Sequence, residues 1–244
     1  MSSHAQADQL MPRRSLLGAC ITVGTACLAG CTSSSHEAET TVTEEYDGID
    51  ASEIVIQGIN GDIEIRDEQR ETVHVEPRKK AASEERLDLI TLQKKQSDNR
   101  LSLTVDTEDS GFLALNSPSP RMDLTLTVPE GVHLTAGATN GDIDVETTGA
   151  ENVSVNTTNG SIMVSLSEPS EVRADTTNGD VSITLPATAE QAVSFETNNG
   201  DVAINGFEAD STESNSEIDR MIGDGTHRIT ANTMNGDISI RGGN

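Results

Sequence analysis

An Asn-Gly step followed by Asp or Ser, and then by Ile or Val, occurs six times along the chain. The steps are Asn60-Gly61, Asn140-Gly141, Asn159-Gly160, Asn178-Gly179, Asn199-Gly200 and Asn235-Gly236. Their starts lie 80, 19, 19, 21 and 36 residues apart, near multiples of one unit of 18 to 21 residues. A fixed period of that size marks a repeat architecture, in which the same supersecondary unit is used many times. Gly tolerates positive φ and Asn tolerates it better than most residues, so each step reads as a sharp corner.

The flanks repeat with the corners. With each Asn as position zero, positions −6 and −4 are Ile54 and Ile56, Leu134 and Ala136, Val153 and Val155, Val172 and Ala174, Val193 and Phe195, Ile229 and Ala231. Positions +3 and +5 are Ile63 and Ile65, Ile143 and Val145, Ile162 and Val164, Val181 and Ile183, Val202 and Ile204, Ile238 and Ile240. The residues between are mostly Thr, Ser, Asp, Glu or Asn. Apolar side chains at period two, largely β-branched, define a strand with one buried face. Each unit is therefore strand, corner, strand.

Two all-β folds satisfy this pattern. In a meander of Asn-Gly hairpins, in a sandwich or roll, positions −2 and +3 face each other, as do −4 and +5. In a β-solenoid of about 19–21 residues per unit, each unit is one rung and like residues stack in columns. We expect the solenoid, because whole units repeat with near-identical corners and a meander needs no such identity.

Residues 1–30 read as an export signal rather than as structure. Arg13 and Arg14, followed by Ser15-Leu16-Leu17, resemble a twin-arginine motif, and an apolar run of small residues extends to Gly30. Leu28-Ala29-Gly30-Cys31 resembles a lipoprotein cleavage box, with the Cys31 thiol as lipid acceptor and membrane lipid as the partner. Cys20 and Cys27 fall within the segment to be removed, so the mature chain has no disulfide or Cys metal site. Residues 31–47, rich in Ser, Thr and Glu, read as a flexible acidic tether. Residues 48–244 are then the β-repeat domain, at the outer face of the cell membrane.

Removing residues 1–30 takes away Asp8, Arg13 and Arg14, leaving 40 acids against 14 bases and a net charge of −26. Lysine occurs only at positions 79, 80, 94 and 95. Such acidity resembles that of proteins from salt-loving archaea, where brine screens self-repulsion. It argues against nucleic acid as a partner.

The gap of 80 residues contains further strands. Val73–Glu76, Arg100–Val105 and Met122–Pro129 alternate clearly. Residues 87–92 read as a strand, although Ser83 could cap a helical turn. Residues 106–120 read as a loop. The gap as a whole is expected to form the entry end of the sheet system. Residues 207–226 read as a polar surface excursion, after which the unit from His227 to Arg241 closes the fold and residues 242–244 cap it.

Little in the sequence points to catalysis or to a cofactor. Asp62, Asp142, Asp180, Asp201 and Asp237 would form a column broken by Ser161. Carboxylates ~4.8 Å apart repel by about 1 kcal/mol per pair in water, and either salt or a bridging cation could relieve that. His36, His74, His133 and His227 show no zinc or triad spacing. The aromatic residues are Tyr46, Phe112, Phe195 and Phe207, a poor platform for stacking sugars. No metal site and no catalytic residue is therefore expected. Asn152, Asn156 and Asn159 each begin a glycosylation triplet.

Gly58-Ile59-Asn60-Gly61-Asp62-Ile63-Glu64-Ile65 and its later copies resemble the DUF4097 family of β-strand repeats, labelled putative adhesins, and the related head domain called GIN. Leu124–Val132 resembles that family's strand leading into the repeats. The resemblance implies a right-handed β-solenoid or roll at the cell surface and no catalytic residues. It leads to the expectation of a non-catalytic surface lipoprotein presenting a rigid repeat to an envelope polymer or a surface protein. A second reading is an envelope-stress or signalling component that binds a membrane protein. A third is a carbohydrate-active β-helix enzyme.

Overall fold

The computed structural model describes residues 38–41, 44–46, 51–97, 99–108, 119–186, 189–207, 211–213 and 216–243. The strands are β1 (Ala38–Thr41), β2 (Glu44–Tyr46), β3 (Glu53–Gln57), β4 (Ile63–Glu68), β5 (Val73–Ala81), β6 (Ile90–Ser97), β7 (Arg100–Thr107), β8 (Arg121–Pro129), β9 (His133–Asn140) and β10 (Ile143–Thr147). They continue as β11 (Asn152–Asn159), β12 (Ile162–Leu166), β13 (Glu171–Asn178), β14 (Val181–Pro186), β15 (Gln191–Asn199), β16 (Val202–Asn205), β17 (Ser211–Glu213), β18 (Glu217–Ile222), β19 (His227–Asn235) and β20 (Ile238–Gly243). One helical turn, α1 (Glu84–Leu87), separates β5 from β6.

The Asn-Gly units are rungs of a two-sheet solenoid. The strand entering each corner joins one sheet, ordered β18-β15-β19-β13-β11-β9-β3-β7-β6. The strand leaving it joins the other, ordered β1-β5-β8-β4-β10-β12-β14-β20-β16-β17. Rung pairs with rung in parallel, which excludes the hairpin meander. Ile143 pairs with Ile63 on one side and Ile162 on the other, and Val145 lies between Ile65 and Val164. Like therefore stacks on like, as the spacing predicts.

The core lies between the sheets. Positions −6 and −4 of the entry strands, and +3 and +5 of the exit strands, are buried in every rung, among them Val153, Val155, Ile162 and Val164. Fully burying such an aliphatic side chain contributes about 1.5–3 kcal/mol. Position −2 is also buried except at Gly58, and in four rungs it is Thr. Each of these hydroxyls donates to a corner glycine carbonyl one rung away: Thr157 to Gly141 O (3.1 Å), Thr176 to Gly160 O (2.9 Å), Thr233 to Gly179 O (3.0 Å) and Thr197 to Gly236 O (2.9 Å). The hydrogen bond is what permits a polar side chain in this interior.

Rung order departs from chain order at both ends. Among the described residues seven rungs stack as β7–β8, β3–β4, β9–β10, β11–β12, β13–β14, β19–β20 and β15–β16. The unit from His227 onward does not close the stack as its position in the chain suggested. It slides between β13–β14 and β15–β16 and pairs in parallel with both. The 36-residue interval before it includes β17 and β18, which return antiparallel along β16 and β15 and cover the end rung. At the other end β5 and β6 do the same to β8 and β7.

Other expectations are revised more modestly. The 66–130 gap is the entry end, but its rung β7–β8 lies outside β3–β4 rather than inside it. Of residues 87–92, Leu87 ends α1, Asp88 and Leu89 turn, and Ile90 to Leu92 begin β6. Residues 38–41 and 44–46, read from composition as tether, pair antiparallel with β5, whose outer edge would otherwise be open. No helix among the described residues is long and apolar enough to cross a membrane.

Candidate functional site

The corner column is the most regular surface feature. Asn140 Nδ2 donates to Asn60 Oδ1 (2.7 Å), Asn159 to Asn140 (2.8 Å), Asn178 to Asn159 (2.9 Å), Asn235 to Asn178 (2.8 Å) and Asn199 to Asn235 (2.9 Å). All six predicted corner asparagines thus meet in one exposed side-chain ladder. The glycines beside them are required by contact and, at every corner but Gly200, by φ as well. A Cβ on Gly160 (φ +155°) would stand 2.0 Å from Gly141 O, and one on Gly236 (φ +151°) would stand 2.1 Å from Gly179 O. Only a residue without a side chain lets consecutive corners approach this closely.

The aspartate column is held by backbone donors. Asp142 N–H donates to Asp62 Oδ1 (3.1 Å), Ser161 N–H to Asp142 Oδ1 (2.7 Å), Asp237 N–H to Asp180 Oδ1 (2.8 Å) and Asp201 N–H to Asp237 Oδ1 (2.9 Å). Ser161 continues the chain, its hydroxyl accepting from Asp180 N–H at 3.4 Å. Asp62, Asp142, Asp180 and Asp237 therefore each bond the next rung's amide, which gives the column a structural role. Among the described residues, no group of three or more His, Cys, Asp or Glu side chains is arranged to hold a metal.

One member of this column is invisible to the motif. Asp123, at the start of β8, accepts from Asp62 N–H (3.2 Å) and is ringed by Arg121 (2.6 Å), Lys80 (3.2 Å) and Arg78 (3.5 Å). Burial works to raise its pKa, but hydrogen bonds from Arg121, the Asp62 amide and Lys80 outweigh that and hold it below the ordinary aspartate value. Its hydrogen bond to Asp123, acting against burial, in turn raises the Arg121 pKa. The register pairs Leu124 with Ile63, so Arg121 and Met122 occupy the Asn and Gly positions. Met122 fits there because no parallel rung lies beyond it; its pairing partner is Lys79 of the antiparallel β5. The alternation from Leu124 to Val128 is the only sequence signal that could have found this corner.

The outer faces are open sheet surfaces. On the exit sheet, Glu64, Asp144 and Glu146 lie around Arg66, which contacts Glu64 at 2.6 Å and Glu146 at 3.4 Å. Burial, then the nearby Glu64, raises the Asp144 pKa, with Arg66 opposing. Farther along, this face turns to Ser182, Thr184 and Ser239, with Met163 half exposed. The entry sheet shows Arg173, Asp175 and Asn232, joined by an Arg173–Asp175 ion pair (2.8 Å) and an Asn232–Asp175 hydrogen bond (2.6 Å). At the far turn, Asp67 accepts from Thr147 Oγ1 (2.5 Å), from Thr148 N–H and Oγ1, and from Gly149 N–H, a clamp the sequence did not reveal.

The remaining candidates scatter. His74, on β5, contacts Glu76 (3.1 Å), and His133, at the start of β9, contacts Glu151 (3.3 Å). Of the glycosylation triplets, Asn159 is committed to the ladder, Asn152 is half-buried and Asn156 is exposed. Arg13, Arg14 and Cys31, together with His36, lie outside the described residues.

A two-sheet parallel solenoid with a glycine-stacked corner and a polar exterior defines the class. The chain belongs to the Toastrack DUF4097 family, whose model matches residues 51–168 and 137–241. No protein with a curated description matches it. Among solved structures it is similar to a putative cell adhesion protein from Clostridium sporogenes, at 15% identity and TM-score 0.60, covering 85% of this chain and 100% of that one. A putative adhesin from Bacteroides fragilis is similar at 13% identity and TM-score 0.35, covering 82% of this chain and 97% of that one. At these identities the likeness concerns the fold.

Proposed function

We propose that this protein is a non-catalytic, lipid-anchored surface protein that presents its solenoid for adhesion or scaffold contacts in the cell envelope. Twin-arginine export through Arg13 and Arg14 and lipidation at Cys31 would set it on the outer face of the membrane. The described part of the chain would then stand clear of the bilayer. The observation that carries the reading is the pair of open, polar sheet faces on a stack whose regular side-chain chemistry is used internally, rung to rung. The Clostridium sporogenes neighbour, named as a putative cell adhesion protein, supports the same direction. A glycosidase would need paired carboxylates flanking a substrate groove. Here Glu64, Asp144 and Glu146 share an open sheet face with an arginine among them. The acidity fits a protein working in concentrated salt, and the partner is an envelope polymer or another surface protein.

The test is intact mass and membrane fractionation of the native protein beside Cys31→Ser. Lipid on Cys31, and release of the variant from the membrane, would support the anchored reading. A soluble, unprocessed chain inside the cell would overturn it. Crosslinking on intact cells then separates a scaffold, with many weak neighbours, from a signalling component with one dominant membrane-protein partner.

A further inference from the structure

The six corners contain the sequence chemistry most prone to self-modification. In an Asn-Gly step the glycine amide nitrogen can attack the asparagine side-chain Cγ. The N–Cγ bond forms, the Cγ–Nδ2 bond breaks, and the amide proton leaves with the side-chain nitrogen as ammonia. Water then opens the resulting five-membered imide at either carbonyl, leaving aspartate or isoaspartate. Glycine favours the reaction because no side chain hinders the attacking nitrogen.

The solenoid occupies that nitrogen at five corners. Gly61 N–H donates to Asn140 O (2.9 Å), Gly141 to Asn159 O (2.9 Å), Gly160 to Asn178 O (2.9 Å), Gly179 to Asn235 O (2.9 Å) and Gly236 to Asn199 O (3.0 Å). Each bond points to the next rung in the stack. Gly200 belongs to the last parallel rung, β15–β16, and no carbonyl among the described residues accepts its N–H. Asn199 and Gly200 are both exposed. The Asn199 side chain is held as the others are, donating to Asn235 Oδ1 at 2.9 Å and Met234 O at 3.3 Å. The difference therefore lies at the nucleophile.

We infer that Asn199 is a site of spontaneous deamidation in the folded protein, while the other five corner asparagines are protected by the rung stacked on them. The product places a new carboxylate beside Asp201 and Asp237 at the end of the aspartate column. When the product is isoaspartate, it also lengthens the backbone within the corner. The modification marks the age of the molecule at the end of the stack where β15–β16 and its covering strands sit.

The experiment incubates the full-length protein, folded, at mildly alkaline pH and follows each corner peptide by mass spectrometry with isoaspartate detection. Fragment ions separate Asn199 from Asn205, whose Gly206 has φ +81° and its own interaction. Asn199 should convert at least about tenfold faster than any other corner, since an end rung opens more readily than an inner one. In urea all six should convert at similar rates. Amide hydrogen exchange supplies a second readout, with Gly200 fast and Gly61, Gly141, Gly160, Gly179 and Gly236 slow. An inner corner converting as fast as Asn199 in the folded chain would overturn the inference. So would an Asn199 that survives while the urea-treated chain is consumed, or a Gly200 amide as protected as Gly179.

Discussion

From β9 to β14, rungs that follow one another in the chain are neighbours in the stack; at the two ends that order is broken. In the middle, starts 19 residues apart produce neighbours in space. At one end β7–β8 lies outside β3–β4, and at the other β19–β20 lies inside β15–β16. The outermost rung at each end is then covered by antiparallel strands. The difference shows that a repeat motif specifies how any rung fits another, but not which rung it meets. Val181, Val202 and Ile238 occupy the same inward position, so a pairing of β14 with β16 would satisfy the same columns as its pairing with β20. The connectors make the choice. The 21-residue step from Asn178 to Asn199, two longer than its predecessors, spans one interposed rung.

The all-or-none test of that choice is crosslinking. With the native cysteines replaced by serine, Ser182→Cys/Ser239→Cys should oxidise to an intramolecular disulfide, because these strands are adjacent and the serine oxygens lie 3.3 Å apart. Ser182→Cys/Ala203→Cys should not, since two rung spacings, about 9.6 Å, exceed disulfide reach. The opposite result would mean that rungs stack in chain order to the end.

Glycine substitutions probe the middle next. Gly160→Ala drives a Cβ against Gly141 O and should cost roughly 3 kcal/mol or more, or prevent folding. Gly149→Ala, in a far turn where the nearest atom is 3.9 Å away, should change stability by less than about 1 kcal/mol. Denaturant midpoints of the two variants measure the contrast.

Asp123 tests the end in the same way. Asp123→Asn should lose about 1–3 kcal/mol at neutral pH, the worth of charged hydrogen bonds at a largely shielded site. Because its folded pKa is lowered, the stability Asp123 supplies is present above the unfolded value near 3.8 and disappears as pH falls through the folded one. Wild type and variant should therefore converge in acid, as thermal melts against pH would show. Asp144→Asn should have the smallest effect and the opposite sign. Its folded pKa is raised, so the ionised native residue is a liability at neutral pH, and the variant should melt slightly higher there. That gain should vanish once the pH drops below the unfolded value.

The parts legible in the sequence were those each rung repeats. The corner glycines, the alternating Val and Ile positions and the aspartate column could all be aligned by counting from Asn. Rung β7–β8 was not legible as a rung because its corner residues are Arg121 and Met122, and an end rung need not admit a neighbour's carbonyl. The covering strands β17 and β18 were hidden for a related reason. They pair on one side only, so Glu217–Ile222 buries Ile218 but exposes Met221, and its composition resembles that of a loop. The clamp at Asp67 depends on Thr147 and Gly149, some 80 residues away in the chain, which no local pattern announces.

A central rung has the same columns on both its sides: an Asn that accepts from one neighbour and donates to the other, and a glycine that receives one carbonyl and offers its own. Duplicating one 19-residue unit in the middle should therefore lengthen the solenoid by about 4.8 Å while leaving both covered ends untouched. Deleting one should shorten it by as much. Reach is thus an adjustable dimension of this molecule, set by unit number and inherited independently of whatever its surfaces bind.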